Sequence, residues 1–270
     1  TRIHSKRHDE LGELIYAFNR MAEGLDEKQK LEKTFSSYMS PGIASSIMSN
    51  LNQTRLPTEY IKATVVFVDI VGFTRLCEIQ PAAQMAILLN QFYGCIHEAA
   101  QQYGGAVDKF IGDGAMLTFG VPKQDPLQGI HAICCAQFFL RRIKQLNVLN
   151  QRHGLPQLDF RVGLHAGELL AGTLGCKERM EYTLLGDTVN VAARLCDQGE
   201  TGQIVISDDL LHLHRVKQQV SVVGKKQIKV KGRQESLTVY EVIDMDVQLT
   251  QDIDLHLEEL PELTLEATHA

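Results

Sequence analysis

Two aspartates, each with a glycine close behind it, are the side chains of this sequence best suited to hold metal ions. Asp69 stands near the end of the apolar run 63–70 and precedes Gly72, and Asp113 stands between two glycines. If these turns lie at neighbouring strand ends, the two carboxylates could share divalent cations, as phosphoryl transfer requires. Each motif also has an ordinary interpretation, since Asp69 could cap a following helix and Asp113 fits a tight hairpin turn.

Three further motifs offer contacts for phosphate and sugar. The turn Gly72-Phe73-Thr74 opens a predicted helix, where backbone N–H groups and the helix dipole favour a phosphate. Asn190 and Arg194 are four residues apart on another predicted helix and share a face. An arginine there can stabilise phosphoryl charge and an asparagine can orient a sugar, although a surface polar pair is the ordinary interpretation. Lys231 could reach phosphates, but the lysines around it are also typical of a solvated basic strand.

Strands that alternate with helices from residue 62 onward would have to position these side chains. Several strands are joined by links too short for a parallel crossover, so we predict an α/β sandwich with a largely antiparallel sheet. The predicted strands are 63–70, 106–111, 115–119, 160–166, 169–174, 181–185, 204–207, 220–223, 227–230 and 238–242, and the predicted helices are 80–103, 126–149 and 188–196.

The first forty residues show a different pattern. Leu11, Leu14, Phe18, Met21 and Leu25 recur at alternating intervals of three and four, which places them along one seam of a helix. The apolar residues that follow resume the seam three positions out of register, a slip that locally overwinds a coiled coil. The spacing fits a parallel dimeric stalk and equally an amphipathic helix that packs on its own domain.

The composition is that of a folded globular protein and excludes several function classes. Hydrophobic residues make up 44% and charged residues 22% of the 270, which disfavours disordered and collagen-like classes. With 27 basic and 33 acidic residues the net charge is −6, which argues against a nucleic-acid partner. The six cysteines lack the paired spacing of zinc or thioredoxin motifs and indicate reduced thiols. No apolar run reaches the length of a bilayer span, so we expect the chain as given to be soluble.

Taken together and in this order, four blocks resemble the class III nucleotidyl cyclase catalytic domain, over roughly residues 60–243. The resemblance implies a ferredoxin-like α+β fold and two magnesium or manganese ions held by Asp69, Asp113 and the carbonyl of Ile70. It also implies that one ion lowers the pKa of a ribose 3′-hydroxyl, whose oxygen attacks the α-phosphorus in line and expels pyrophosphate. The blocks are Phe67-x-Asp69-Ile70-x-Gly72-Phe73-Thr74, Lys109-x-x-Gly112-Asp113, Asn190-x-x-x-Arg194 and Lys231-Gly232.

The same resemblance assigns roles to further residues. Asn190 would orient the ribose, Arg194 would stabilise the pentacoordinate α-phosphate, and Lys231 would contact the terminal phosphates. Arg179 would add a contact to the β-phosphate. The turn Gly72-Phe73-Thr74 would bind phosphate through its backbone.

The resemblance also implies that Lys109 and Thr183 select the nucleotide base. Lys109 stands at the family position that donates to adenine N1, where guanylate-specific members carry glutamate, so ATP is the expected substrate. Thr183, seven residues before Asn190, stands where many adenylate cyclases have aspartate. The sequence is therefore similar to the lysine–threonine subgroup, several of whose members respond to bicarbonate, and bicarbonate is a candidate effector.

In this family each active site lies between two catalytic domains, with the aspartates from one and the base and ribose residues from the other. This chain carries both halves, so a symmetric homodimer with ATP bound at two equivalent sites is expected. Guanylate cyclase is the enzyme alternative, which Lys109 opposes. A non-catalytic nucleotide-binding or dimerisation module that keeps the cyclase fold is the alternative from another class.

The N-terminal blocks Asp9-Glu10-Leu11-Gly12-Glu13-Leu14 and Ala17-Phe18-Asn19-Arg20-Met21 resemble the second helix of a HAMP signal-transmitting module. This resemblance implies an upstream sensor or membrane segment, so we expect the cytoplasmic portion of an inner- or plasma-membrane protein that is regulated through its N-terminal helix. The predicted organisation is a partial HAMP or coiled-coil helix at 1–39, a linker at 40–60, the cyclase domain at 61–245 and a poorly ordered acidic tail at 246–270.

Overall fold

A computed structural model of the chain describes residues 3, 9–36, 57–176, 179–229, 236–261 and 263. The chain divides into two compact units, residues 1–56 and residues 57–270. The described helices are α1 (Glu10–Ser36), α2 (Phe73–Ile79), α3 (Ala82–Gln102), α4 (Gln128–Arg152), α5 (Asp187–Gln198), α6 (Asp208–Leu211), α7 (Val216–Gln219) and α8 (Val247–Glu259). The described strands are β1 (Glu59–Ile70), β2 (Ala106–Ile111), β3 (Gly114–Phe119), β4 (Phe160–Cys176), β5 (Arg179–Leu185), β6 (Ile204–Ser207), β7 (Val220–Lys229) and β8 (Ser236–Met245).

The described part of the first unit is dominated by α1, which confirms the prediction of an N-terminal helix. The Asp9 carboxylate caps it, because Oδ1 accepts a hydrogen bond from the Gly12 amide at 3.1 Å. The five apolar residues of the predicted seam are all exposed at the surface of the chain. Most of the predicted linker, residues 40–56, lies outside the described residues.

The second unit is built on a sheet of eight strands in the order β2-β3-β1-β4-β6-β8-β7, with β5 paired to β4. Among the described strands every pair is antiparallel except β4 with β6, which run parallel. The predicted α+β fold with a largely antiparallel sheet is therefore confirmed.

Successive side chains of β1 point to opposite faces of the sheet, and both faces are buried. Val66 and Val68 belong to the core beneath α3 and α4, where the rings of Phe92, Phe139 and Phe160 lie with centroids 4.8–5.8 Å apart. The intervening residues of β1 face a second apolar cluster that includes Ala192 of α5. Helices therefore pack on both faces of the sheet.

Helix α5 lies directly against β4 because a glycine stands at the closest approach. A Cβ atom at Gly163 would lie 2.0 Å from the Cys196 amide nitrogen, so any other residue would push the helix away. Val191 and Leu195 are buried on the inner face of α5, which leaves Asn190 exposed on the outer face.

Two predicted strand breaks are wrong, because the glycines there do not make turns. Residues 160–166 and 169–174 belong to the single strand β4, where a Cβ at Gly167 would lie 2.6 Å from the Thr188 hydroxyl. That glycine makes room for α5. Residues 220–229 likewise form the single strand β7, in which Gly224 at φ +72° lies where the pairing register shifts.

The prediction of a poorly ordered tail is wrong for residues 247–259, which form α8. The Asp246 carboxylate caps this helix, and Ile253 and Leu257 are buried against the helical layer. The sequence gives only a weak helix pattern here, because just two apolar positions of the helix, Ile253 and Leu257, face the core. Arg141 of α4 also forms an ion pair with Asp254.

Arg142 of α4 is buried, and its guanidinium is enclosed by hydrogen-bond acceptors. Nε donates to Glu98 at 3.2 Å, Nη1 donates to Gln145 at 3.1 Å, and Nη2 donates to the Pro261 carbonyl at 3.1 Å. The residues that follow α8 therefore complete the environment of a charge inside the helical layer.

Candidate active site

The two predicted metal-binding aspartates lie side by side. β1 pairs with β3 so that Asp69 is opposite Gly114, and the Ile70 amide donates to the Asp113 carbonyl at 3.3 Å. A Cβ at Gly114 would lie 2.9 Å from the Val68 carbonyl oxygen, so this position requires glycine. We call Asp69 and Asp113 the carboxylate pair.

The electrostatics of Asp113 reflect this closeness. Its pKa is raised above the usual range of an aspartate, mainly because the side chain is partly withdrawn from water, and also because Asp69 is negative. The backbone amide of Asp113 and the Arg161 guanidinium act in the opposite direction. Two carboxylates that repel each other form a site that a cation would stabilise.

Arg161, which the sequence analysis did not single out, holds one member of the pair. Its Nε and Nη2 donate to Oδ2 of Asp69 at 3.0 and 2.7 Å. The same guanidinium donates to the carbonyl and carboxylate of Asp197 at 3.1 Å, which links the end of β1 to α5. The available signal was a charged residue in the apolar start of β4, directly opposite Asp69 in the register.

The donor set fits magnesium or manganese. Both ions prefer oxygen ligands, and the carboxylate pair with the adjoining Ile70 carbonyl supplies only oxygen. Within the described residues no group of three or more His, Cys, Asp or Glu side chains could hold a metal, so the pair would need a backbone or substrate oxygen to complete a site.

The glycine turn after β1 has the predicted form. Gly72 adopts φ +73° and stands at the N-cap of α2, which has no side-chain cap. Phe73 packs partly against the core, and Thr74 is exposed. The first amides of α2 therefore lie at the same end of β1 as Asp69.

Tyr93 of α3 supports the turn that carries Asp113, although the sequence does not predict this role. Its hydroxyl donates to the Gly112 carbonyl at 2.8 Å, and the centroid of its ring lies 4.0 Å from the ring centroid of Phe110. Burial and the charge of Asp113 both raise the pKa of this phenol, so it stays a neutral donor. A tyrosine in an apolar helix gives no such signal from sequence.

The predicted base-recognition residues are also brought together. Lys109 Nζ lies 3.2 Å from the Thr183 hydroxyl, 2.6 Å from Glu181 Oε1 and 3.6 Å from Asp108 Oδ2. Burial alone would lower the pKa of Lys109, but these acidic partners raise it. The Asp108 carboxyl is buried, and burial raises its pKa in spite of the nearby ammonium. We call Asp108, Lys109, Glu181 and Thr183 the lysine cluster.

Asn190 and Arg194 lie one turn apart on α5, as the spacing predicts. Asn190 is exposed and Arg194 is half-buried. The start of this helix is fixed by Thr188, whose hydroxyl donates to the Glu168 carbonyl at 2.7 Å. Of the remaining predictions, Arg179 begins β5, and Lys231 lies outside the described residues.

The family model for the adenylate and guanylate cyclase catalytic domain matches residues 57–243. Among solved structures, the chain is similar to the adenylyl cyclase CyaB from P. aeruginosa, with 34% identity and a TM-score of 0.68 over 71% of this chain and 98% of that one. It is also similar to the guanylate cyclase domain of RhGC from Catenaria anguillulae in complex with GTP, with 26% identity and a TM-score of 0.63 over 71% and 100% of the two chains.

Curated relatives extend beyond this chain. An uncharacterized protein of Mycobacterium tuberculosis is 34% identical over 205 residues, which cover 75% of this chain and 36% of that protein. The chain thus spans about a third of the length of the curated relatives it matches. None of the helices in the described ranges is long and apolar enough to cross a membrane.

Proposed function

Because this chain belongs to the family of adenylate and guanylate cyclase catalytic domains, we propose that it converts ATP to 3′,5′-cyclic AMP and pyrophosphate. In this reaction the ribose 3′-oxygen forms a bond to the α-phosphorus, and the bond from that phosphorus to the bridging oxygen of the β-phosphate breaks. The 3′-hydroxyl proton is released, and the electron pair of the broken bond leaves with pyrophosphate.

The lysine cluster is the observation that carries the choice of ATP. An ammonium bonded to Thr183 presents hydrogen-bond donors, and adenine N1 is an acceptor, whereas guanine carries a hydrogen at N1. A site that must pair its donors rejects the base that offers another donor.

The carboxylate pair supports a metal-dependent reaction. Asp69, Asp113 and the carbonyl of Ile70 would hold magnesium or manganese, which supply charge neutralisation and make the 3′-hydroxyl more acidic. Arg161 keeps Asp69 in one orientation through two hydrogen bonds. Gly72, Phe73 and Thr74 would donate backbone N–H groups to the terminal phosphates, with Arg179 and Lys231 as further phosphate contacts.

Asn190 and Arg194 would act on the ribose and the α-phosphate. Their one-turn spacing on α5 lets the amide orient the sugar while the guanidinium stabilises the charge that builds up on phosphorus. We infer that these residues and the lysine cluster of one protomer face the carboxylate pair of a second protomer, in a symmetric homodimer with two sites.

Regulation would act through α1. Its exposed apolar seam is suited to a parallel helical stalk that sets the angle between two catalytic domains. An upstream HAMP module, a membrane-attached sensor and a bicarbonate effector of the lysine–threonine subgroup stay predictions that belong to this proposal.

The proposal is tested by measuring cyclic AMP and cyclic GMP formed by the purified chain from ATP or GTP, with magnesium or manganese. Cyclic AMP from ATP as the main product is expected. A preference for GTP would make the protein a guanylate cyclase. The absence of product from both nucleotides, in protein shown to be dimeric, would instead favour a non-catalytic module with the cyclase fold.

A further inference from the structure

The Lys109 ammonium has three N–H donors, and two oxygens of the chain lie within hydrogen-bond distance of it. These are the Glu181 carboxylate at 2.6 Å and the Thr183 hydroxyl at 3.2 Å, whereas the Asp108 carboxylate at 3.6 Å forms an ion pair beyond that distance. Glu181 and Thr183 are alternate residues of β5, so both side chains project from the same face of that strand. Glu181 is therefore part of the surface that a base would meet at Lys109.

The two acids of the lysine cluster differ in what they can reach. The Asp108 side chain is only 4% exposed and serves as an internal partner of Lys109. The Glu181 side chain is 62% exposed, so it can contact a ligand that arrives from solvent. A carboxylate has several lone pairs and can accept from a ligand while it also accepts from Lys109.

We propose that Glu181 is a specificity-determining residue, whose carboxylate accepts a hydrogen bond from the 6-amino group of adenine while Lys109 donates to N1. This inference rests on the proposed function and deepens it. Along one edge adenine presents an acceptor, N1, beside a donor, the 6-amino group, and the pair Lys109 and Glu181 presents a donor beside an acceptor.

The same arrangement rejects guanine at two positions. If Asn190 orients the ribose and Arg194 holds the α-phosphate, the purine cannot slide along the pocket, so position 6 faces Glu181 and position 1 faces Lys109. Guanine then places its O6 acceptor against a carboxylate and its N1–H donor against an ammonium. Glu181 thus supplies a charged acceptor beside the neutral hydroxyl of Thr183.

The experiment compares kcat/KM for ATP, GTP and purine riboside 5′-triphosphate, which keeps N1 but lacks the 6-amino group. The full chain is used as wild type, Glu181→Gln, Glu181→Ala and the control Glu258→Gln, an exposed glutamate of α8. We expect Glu181→Ala to lower kcat/KM for ATP by about tenfold or more, the effect of one hydrogen bond to a charged group, and to leave the purine riboside analogue unchanged. The kcat/KM of Glu181→Gln for ATP should lie between the values for wild type and Glu181→Ala. The ratio of kcat/KM for ATP to kcat/KM for GTP should fall in the same order.

Three results with Glu181→Ala would overturn the inference. An equal fall in kcat/KM for ATP and for the analogue would mean that Glu181 only positions Lys109. An increase in kcat/KM for ATP would mean that Glu181 competes with the base, and an unchanged value would mean that it does not contact the base. If the wild type forms no cyclic product, the proposed function fails, and calorimetric binding of ATP and the analogue to the same four proteins decides the inference on its own.

Discussion

The carboxylate pair and the lysine cluster lie in the same unit but are held in different ways. At the carboxylate pair, backbone pairing of β1 with β3 brings the two aspartates together, and Arg161 and Tyr93 brace them from neighbouring elements. In the lysine cluster, long side chains from β2 and β5 meet, separated by more than seventy residues in sequence. The first region is suited to a fixed arrangement of charge and the second, under the proposed function, to adjustable recognition of a base.

Replacement of a member of the carboxylate pair should have the largest effect. Asp113→Asn keeps the shape of the turn but removes the charge that a divalent cation needs, so we expect a loss of activity of at least about 10³-fold. Steady-state rates with manganese measure this loss, and the exposed Asp252→Asn on α8 is the control. Activity within tenfold of wild type would show that the backbone arrangement matters more than the carboxylate itself.

Mixing variants tests whether the carboxylate pair of one protomer acts together with Arg194 of another. Asp69→Ala and Arg194→Ala should each be inactive alone. Random pairing makes about half of the dimers mixed, each with one intact site, so about a quarter of the wild-type rate should return. Failure of the refolded or co-expressed mixture to regain activity would contradict a site shared between protomers.

Arg161 should come next. Arg161→Ala removes both hydrogen bonds to Asp69, and we expect kcat to fall by about 10²-fold. Arg161→Lys keeps the positive charge but not the paired N–H donors of the guanidinium, and kcat should fall by about tenfold. The fall should appear with either metal. Lysine and alanine variants with equal rates would mean that the paired geometry at Asp69 is not needed.

Tyr93→Phe should have the smallest effect. It deletes only the hydroxyl that donates to the Gly112 carbonyl, so the free energy of unfolding should fall by about 1 kcal/mol. Because this turn carries Asp113, kcat should fall about threefold to tenfold, a loss that Tyr60→Phe at an exposed position of β1 should not show. A loss of stability without a loss of kcat would mean that the turn keeps its geometry without this bond.

The parts predictable from sequence are those with a local signal. Asp69, Asp113 and Lys109 stand in turns or strands whose glycines and apolar runs are visible in a few residues. Arg161 has only a weak local signal, a charge in the apolar start of β4, and Glu181 has none. Their positions beside Asp69 and Lys109 come from the register that places β4 beside β1 and from β5 reaching β2. The pairing of strands that are far apart in sequence cannot be predicted from a short stretch of residues.

Glycine was the main source of error in the strand predictions. The same residue type makes turns at Gly72 and the Asp113 hairpin but gives room for α5 at Gly163 and Gly167. Sequence cannot distinguish these uses, since both need the absence of a side chain. The limits of the predicted domains and the roles assigned to individual site residues stay predictions.

The buried guanidinium of Arg142 links the helical layer to residues beyond the family match, which ends at residue 243. A chain cut at Met245 would remove the Pro261 carbonyl and α8, and it would expose Ile253's binding surface on the helical layer to water. The residues at this end of the chain are therefore in direct contact with α4. The residues after α8 are thus a point of attachment, through which a domain joined to them could act on the helical layer.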